Sequence, residues 1–549
     1  VEQAALGLAD LGLKRGGAVG IWGNTMPEWT VANLAAMSLG AHCAGIYQTN
    51  TADQALFILN DCKASVLFVD TYERLSDLLP YRDQMPNVKH FVVWSGEIEG
   101  ASDEVMKLDD LYEKGAKRSK QNPGELEDFV SEVRKSDYAV LVYTSGTTGM
   151  PKGVILTHEN CMSSVGAVQE LGLYEDNDSM PAFLPLSHVA EYVCFLGRLV
   201  AGMTAYFSPD MTKVGEVIKE KSPSLIVAVP RVYEKVMQKI LTSVDQAPPR
   251  KQQIFNWAYS VGDQVGRLRE EKKRIPTALA IKHSLADRLV LSKVRDQLGG
   301  NVRAMFSAAA PIDVETIRFF RAFGLNLVEA YGLSETSGAS HTNLPEDFKI
   351  GWVGKPIPGL EQKIAEDGEI CLRGPSVFNG YMNRPDETAE AIDSEGWFHT
   401  GDIGEIDDQG FLQITDRKKN LLITAGGKNV APAGVEMLVK REPCISQVVV
   451  LGDRMPYLVA LVTVDQDVIS SEGISGEDVE KRVEVAINEA NEQVARYEQI
   501  KKFRILDRDF SIEGGELTPT MKIKRKAVME NFKSYVDDMY SEAKEAVAQ

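Results

Sequence analysis

The chain has 549 residues, too many for one hydrophobic core, so roughly two to four domains are expected. Its 60 basic and 79 acidic residues give a formal net charge of −19, which argues against a broad nucleic-acid surface, while 44% hydrophobic and 25% charged content is ordinary for a globular protein. The six cysteines lack CxxC or metal-ligand spacing, and the longest apolar stretch, residues 192–207, carries Arg198 and two glycines, so a zinc cluster and a membrane span are excluded and reduced thiols in the cytoplasm are expected.

In chain order, short apolar runs at residues 19–22, 65–69, 91–94, 139–142, 225–229 and 302–306 read as strands buried on both faces. Helical patterns lie between them, as at 28–41, where Trp29, Ala32, Ala36 and Leu39 return on one face. This alternation predicts an α/β fold with largely parallel sheets. Residues 113–128 read as a polar, peripheral stretch. Residues 250–275 read as a solvated helical insertion, although its basic residues beside Phe255, Trp257 and Tyr259 would also suit peripheral contact with a membrane. From 351 to 415, Gly- and Asp-punctuated strand signals predict a small antiparallel or barrel-like subdomain. A charged cluster at 416–420 then leads into a strand pair at 447–451 and 458–464 and a helix at 479–497. The expected organisation is a large multi-sheet N-terminal domain, 1–416, containing the barrel-like subdomain, plus a small mobile α+β C-terminal domain, 417–549. No signal peptide is visible, and because the chain opens at Val1 directly in helix-like sequence, a natural start upstream of Val1 is one expectation.

Directly behind the apolar run 139–142 come Tyr143, Thr144, Ser145, Gly146, Thr147, Thr148, Gly149, Met150, Pro151, Lys152 and Gly153. Glycines let backbone N–H groups converge on an anion, and the hydroxyls and ammonium add donors, so the run is suited to a polyphosphate. Lys152 sits six places after Gly146 and is followed by Gly153, which is not Walker spacing.

Further stretches accompany this loop: Phe306 to Ile312 with Ala308, Ala309, Ala310 and Pro311; Tyr331, Gly332, Leu333, Ser334, Glu335 and Thr336; Trp397 to Asp402; Asp416 and Arg417; Gly426, Gly427, Lys428 and Asn429; and Leu517 to Lys522. Together and in this order they resemble the signature set of the acyl-adenylate-forming superfamily, which includes acyl-CoA synthetases, adenylation domains and luciferases. The resemblance implies ATP, Mg²⁺ and coenzyme A as reactants or cofactors and a two-step reaction through acyl-AMP. It implies that Thr144, Ser145, Gly146, Thr147, Thr148, Gly149 and Lys152 grip the β- and γ-phosphates, that Glu335 holds Mg²⁺ with Thr144 as a second ligand, and that Tyr331 stacks on adenine. Ala309, Ala310, Pro311, Gly332 and Thr336 would line the nucleotide. Asp402 would bind the ribose hydroxyls with Arg417 in support, Lys522 would be the catalytic cation of adenylation, and Gly426 and Gly427 would line the coenzyme A path. A rotation of the C-terminal domain, hinged at Asp416 to Lys419, is implied between the two steps. Ile423 stands where some relatives carry a lysine, so no catalytic role transfers there. Ala308 and Ala309 replace two glycines common in relatives.

Leu184 to His188 and Val229 to Tyr233 resemble acyl-pocket segments of long-chain acyl-CoA synthetases, which would put His188 beside the carboxylate and Tyr233 where an aromatic residue gates the acyl tunnel. Aryl-CoA ligases, CoA-independent fatty acyl-AMP ligases and carrier-loading adenylation enzymes remain alternatives of the same fold, and an inactive acyl-binding scaffold is one of another class. Fatty acid, ATP and coenzyme A are the expected small-molecule partners, with no nucleic acid. Relatives include dimers, so a homodimer is one expectation.

Overall fold

The computed structural model describes residues 1–98, 104–144, 151–425, 428–518 and 522–541. They divide into two compact units, one of residues 1–362, 372–398 and 408–412, the other of 363–371, 399–407 and the residues from 413 onward.

The first unit is built on a seven-stranded sheet of β1 (Ala18–Trp22), β2 (His42–Ile46), β3 (Val66–Thr71), β4 (His90–Ser95), β5 (Val105–Lys107), β6 (Tyr138–Thr144) and β7 (Lys152–Thr157), ordered β5-β4-β3-β1-β2-β6-β7. All neighbours are parallel except β6 and β7. Every residue of β1 and β2 is buried, as expected of strands covered on both faces. β2 carries no long aliphatic run because Gly45 faces a close approach: a Cβ there would lie 2.8 Å from the Ser187 Cα. That contact seats the 185–188 segment on the sheet. The helix Pro27–Ser38 starts with proline in its first turn and ends where Gly40 turns left-handed, three residues short of the expected limit.

A parallel pair, β8 (Ser179–Ala182) and β9 (Thr204–Phe207), brackets the helix Val189–Ala201. A five-stranded sheet then runs β10 (Leu225–Ala228), β11 (Ala304–Ser307), β12 (Leu327–Tyr331), β13 (His341–Thr342) and β14 (Lys355–Pro356), parallel as far as β12 and antiparallel after it. Between β10 and β11 lies the helical insertion. Its helix Pro249–Glu270 buries Phe255, Ala258, Val261, Gly262 and Val265, and Phe255 and Tyr259 pack on Phe323 and Phe319. The insertion is therefore solvated on one side and built into a core on the other.

Residues expected to form the barrel-like subdomain give a four-stranded sheet in sequence order, β15 (Glu361–Ile364), β16 (Glu369–Arg373), β17 (Phe398–Ile406) and β18 (Leu412–Arg417). Within the second unit, β19 (Leu422–Ile423) and β20 (Asn429–Val430) form a short hairpin, and β21 (Ile445–Leu451), β22 (Leu458–Val464) and β23 (Ile500–Ile505) form a three-stranded sheet. Strand alternation divides that sheet between two cores. Val448, Val450, Leu458, Ala460 and Val462 pack with the helices Pro432–Val439 and Gly476–Glu492, whereas Val449, Leu451, Val459 and Leu461 pack with Phe510, Val528, Val536 and Tyr540. The helix predicted over 479–497 starts earlier, behind a Ser475 cap, and stops at Glu492, leaving Tyr497 exposed.

Candidate active site

The polyphosphate run leaves the sheet at Thr144 and returns at Lys152, and these two residues pair directly across β6 and β7. Ser145, Gly146, Thr147, Thr148 and Gly149 lie outside the described residues. The run joins strand to antiparallel strand, not strand to helix, which separates it from a Walker loop by topology as well as spacing. The Lys152 ammonium lies 5.1 Å above the Tyr381 ring and 3.9 Å from the Glu387 carboxylate. Tyr381 in turn donates its hydroxyl proton to Glu335 Oε1 at 2.8 Å. Glu335 sits on the short turn Ser334–Thr336 that follows β12, and its carbonyl accepts the Phe378 N–H at 2.8 Å.

Tyr331 ends β12, half-buried, with its ring 5.8 Å from that of His341 on the neighbouring strand. Gly332 lets the chain fold back, since a Cβ there would lie 2.1 Å from the Gly338 carbonyl oxygen. Thr336 is fully buried, and its hydroxyl accepts the Leu333 N–H at 2.9 Å and donates to the Leu333 carbonyl, so it shapes the turn that presents Glu335. After β11, Ala309 adopts φ +71°, a left-handed conformation that glycine would take without cost, and Ala310 and Pro311 are exposed.

His188 caps the helix Val189–Ala201, its Nδ1 accepting the Ala190 N–H at 3.1 Å. A neutral imidazole bound this way carries its proton on Nε2. Two residues into the helix, Glu191 is buried against Arg198 at 2.6 Å, and the backbone amides of Phe183 and Leu184 favour its charged form, although burial as a whole pushes its carboxyl up. Tyr233 is 1% exposed and donates its hydroxyl to the Phe306 carbonyl at 2.9 Å, with Ile226 carbonyl at 3.3 Å. Both carbonyls belong to the five-stranded sheet, so the ring is fixed in the core.

In the second unit, buried Asp402 on β17 pairs with Arg417 on β18, Nε to Oδ1 at 2.8 Å, and Arg417 also donates to the Thr400 carbonyl. Asp416 is buried as well, accepting the N–H groups of Arg417 and of Ala433 in the first turn of the helix Pro432–Val439. Burial pushes its carboxyl above the ordinary range. Lys419 is exposed on the turn Lys418–Asn420. Lys522 is exposed where Thr518 and Lys522 exchange two hydrogen bonds, Thr518 N–H to the Lys522 carbonyl at 2.8 Å and Lys522 N–H to Thr518 Oγ1 at 3.0 Å. Gly426 and Gly427 lie outside the described residues.

The Lys522 segment is braced from behind. Glu516, its side chain fully buried, accepts Arg508 at 2.5 Å, Asn531 at 2.6 Å and the Ser511 N–H at 3.1 Å. Arg508 leads in holding its carboxyl down to about 2, against an ordinary 4.5. A depressed carboxyl gives stability that is complete above its unfolded pKa and lost as pH falls through the folded one. The second unit should therefore lose up to about 3 kcal/mol between pH ~4.5 and ~2, less the screening at half-exposed Arg508. Acid unfolding of Glu516→Gln, followed through second-unit probes, should be flatter across that window; an unchanged profile rejects the brace.

The structure thus links Lys152 and Glu335, and separately Asp402 and Arg417, within the respective units. Tyr381 and Glu387 were not singled out from sequence. Tyr381 lies 46 residues from its carboxylate partner, and nothing local in the sequence marks the pairing.

Residues 1–382 match the family described as AMP-binding enzyme, and residues 419–544 match its C-terminal domain. The chain is 38% identical over 558 residues to the long-chain-fatty-acid--CoA ligase FadD15 of Mycobacterium bovis, covering 98% of this chain and 91% of that protein. It is 36% identical to the long-chain-fatty-acid--CoA ligase ACSBG1 of Homo sapiens, covering 99% and 80%. Among solved structures, the adenylation domain of a carboxylate reductase from Mycobacterium chelonae matches with a TM-score of 0.75 at 21% identity over 98% of this chain and 83% of that one. The anthranilate CoA ligase AuaEII in complex with anthranoyl-AMP matches at 0.72 and 21% over 100% and 91%. Those structures share the fold, and the family match with near-full-length sequence relatives goes further: the chain belongs to the AMP-binding, acyl-adenylate-forming enzymes.

Proposed function

We propose that this enzyme is an AMP-forming fatty acid:CoA ligase acting on long-chain acids. The fatty carboxylate attacks the ATP α-phosphate to give acyl-AMP and pyrophosphate, and the CoA thiolate then attacks the acyl carbonyl and releases AMP. The observation that carries this reading is the Lys152, Tyr381 and Glu335 cluster, which joins the polyphosphate run to an acidic turn far along the chain. The names of relatives at 36–38% identity favour a long acyl chain.

A carboxylate is anionic at neutral pH, so the first step needs no general base. It needs charge stabilisation and in-line positioning on phosphorus. Lys152 and the hydroxyls of the loop hold the terminal phosphates, and Tyr331 stacks on adenine. Asp402, oriented by Arg417, accepts from the ribose hydroxyls. Among the described residues no three His, Cys, Asp or Glu side chains are grouped to hold a metal. A single carboxylate fits Mg²⁺ all the same, because that ion takes substrate phosphates and waters as most of its ligands. Glu335 would hold it, with Thr144 as a further oxygen donor, and the ion would neutralise phosphate charge. His188 is the residue set beside the fatty carboxylate, and Tyr233, held by its hydroxyl in the core, is the aromatic residue of the acyl-pocket segment. Lys522 supplies the adenylation cation, which requires the C-terminal domain to rotate about Asp416 to Lys419 between steps.

CoA-dependent AMP formation across fatty acids of rising chain length and one aromatic acid tests the substrate class. Rates should rise towards long chains, since each buried methylene contributes about 0.8 kcal/mol. Preference for the aromatic acid rejects the long-chain reading, and AMP formation without thioester points to a CoA-independent ligase.

A further inference from the structure

We propose that the helix Thr277–Ala286, with the turn Asp287–Leu291 that continues it, is a docking surface for an anionic lipid bilayer. Ile281 is 68% exposed, Leu285 52% and Leu289 43%. Steps of four along continuous helix put the three side chains on one face, whereas isolated exposed aliphatics are ordinary. The opposite face is anchored: Ala286 and Leu291 are buried and Leu279 and Val290 pack on the same cluster as Phe319 and Phe323.

Charge selects the occupant. Residues 249–295 hold eleven basic and four acidic side chains, a net of +7, in a chain whose total is −19. Arg274, Lys282, Arg288 and Lys293 are all exposed along this helical stretch. Exposed aliphatics amid basic residues enter the acyl boundary while the cations meet anionic headgroups. A second copy joined through the same face about a two-fold axis would set two basic patches against each other, which disfavours that occupant. The aromatic residues that suggested membrane contact from sequence play no part, because Phe255 and Tyr259 pack against Phe319 and Phe323. The proposal does not depend on the ligase reading, and its test uses no substrate.

The full chain is sedimented with phosphatidylglycerol vesicles and, separately, with phosphatidylcholine vesicles. Binding is expected to the first and not the second, weakening as salt rises. Ile281→Asp with Leu285→Asp should lower partitioning about tenfold or more. Lys282→Glu with Arg288→Glu should lower it similarly and flatten the salt dependence. Val485→Asp, at an exposed apolar residue of the second unit, should change nothing. All five positions are exposed, and matching unfolding midpoints verify that the variants fold. Equal binding to both vesicle types overturns the proposal, as does binding indifferent to Ile281→Asp with Leu285→Asp. So does a self-associated dimer that this pair of substitutions abolishes while vesicle binding is absent.

Discussion

Lys522→Ala is expected to lower pyrophosphate release from fatty acid and ATP by about a thousandfold, while conversion of supplied acyl-AMP and CoA to thioester proceeds at near the normal rate. Removing one fixed hydrogen-bond donor aimed at charge that develops in an acyl-transfer transition state costs about 10²–10³, and a full ammonium aimed at phosphoryl charge is placed at the top of that range. Lys522 begins as one of several lysines in a basic segment, but its surroundings are not those of a loose tail. Thr518 and Lys522 are joined by two hydrogen bonds, and Leu517 forms a bridge with Ile523 beside them. One residue upstream, Glu516 is tied to Arg508 and Asn531, and downstream Arg525 pairs with Glu436 at 2.6 Å. A segment braced on both sides can deliver an exposed ammonium to a defined place. The two half-reactions measured side by side separate catalysis from folding, because a misfolded variant loses both. A variant that adenylates normally removes Lys522 from the first step, and with it the need for rotation on its account.

Much of the fold was legible because fully buried parallel strands announce themselves as unbroken apolar runs, and the predicted runs at 19–22, 91–94 and 139–142 fall inside β1, β4 and β6. β2 was not legible, since its Gly45 is chosen for contact with Ser187 and not for strand propensity. The insertion misled in a physical way: Phe255, Ala258, Val261 and Val265 share a helical face that is buried, and a run of aromatic and basic residues cannot by itself say which face meets solvent. At the site, the glycines, hydroxyls and charges of each motif are local and could be read. Their partners are distant and could not. Tyr381, 46 residues from Glu335, acts through a contact that only the fold creates.

Glu191→Gln is expected to destabilise the first unit by about 3–5 kcal/mol, the cost of leaving a buried charge without its partner. Glu191 and Arg198 are 3% and 4% exposed, so water cannot replace the lost carboxylate, and Arg198 has Met180 Sδ as its other polar neighbour at 3.5 Å. The loss reaches the site because the Glu191 carboxylate also interacts favourably with the backbone amides of Phe183 and Leu184, at the entry to the segment that carries His188. Replacing both partners, Glu191→Leu with Arg198→Leu, should recover most of the stability, since no buried charge remains. It should not recover the anchoring of residues 183 and 184. At a temperature where both variants are folded, the double variant should therefore keep a raised KM for fatty acid and an unchanged KM for ATP. Denaturant unfolding of the two variants, together with those two constants, decides the matter. If Glu191→Gln unfolds at the wild-type midpoint the ion pair does not hold this segment, and if the double variant binds fatty acid normally the carboxylate does not set the position of His188.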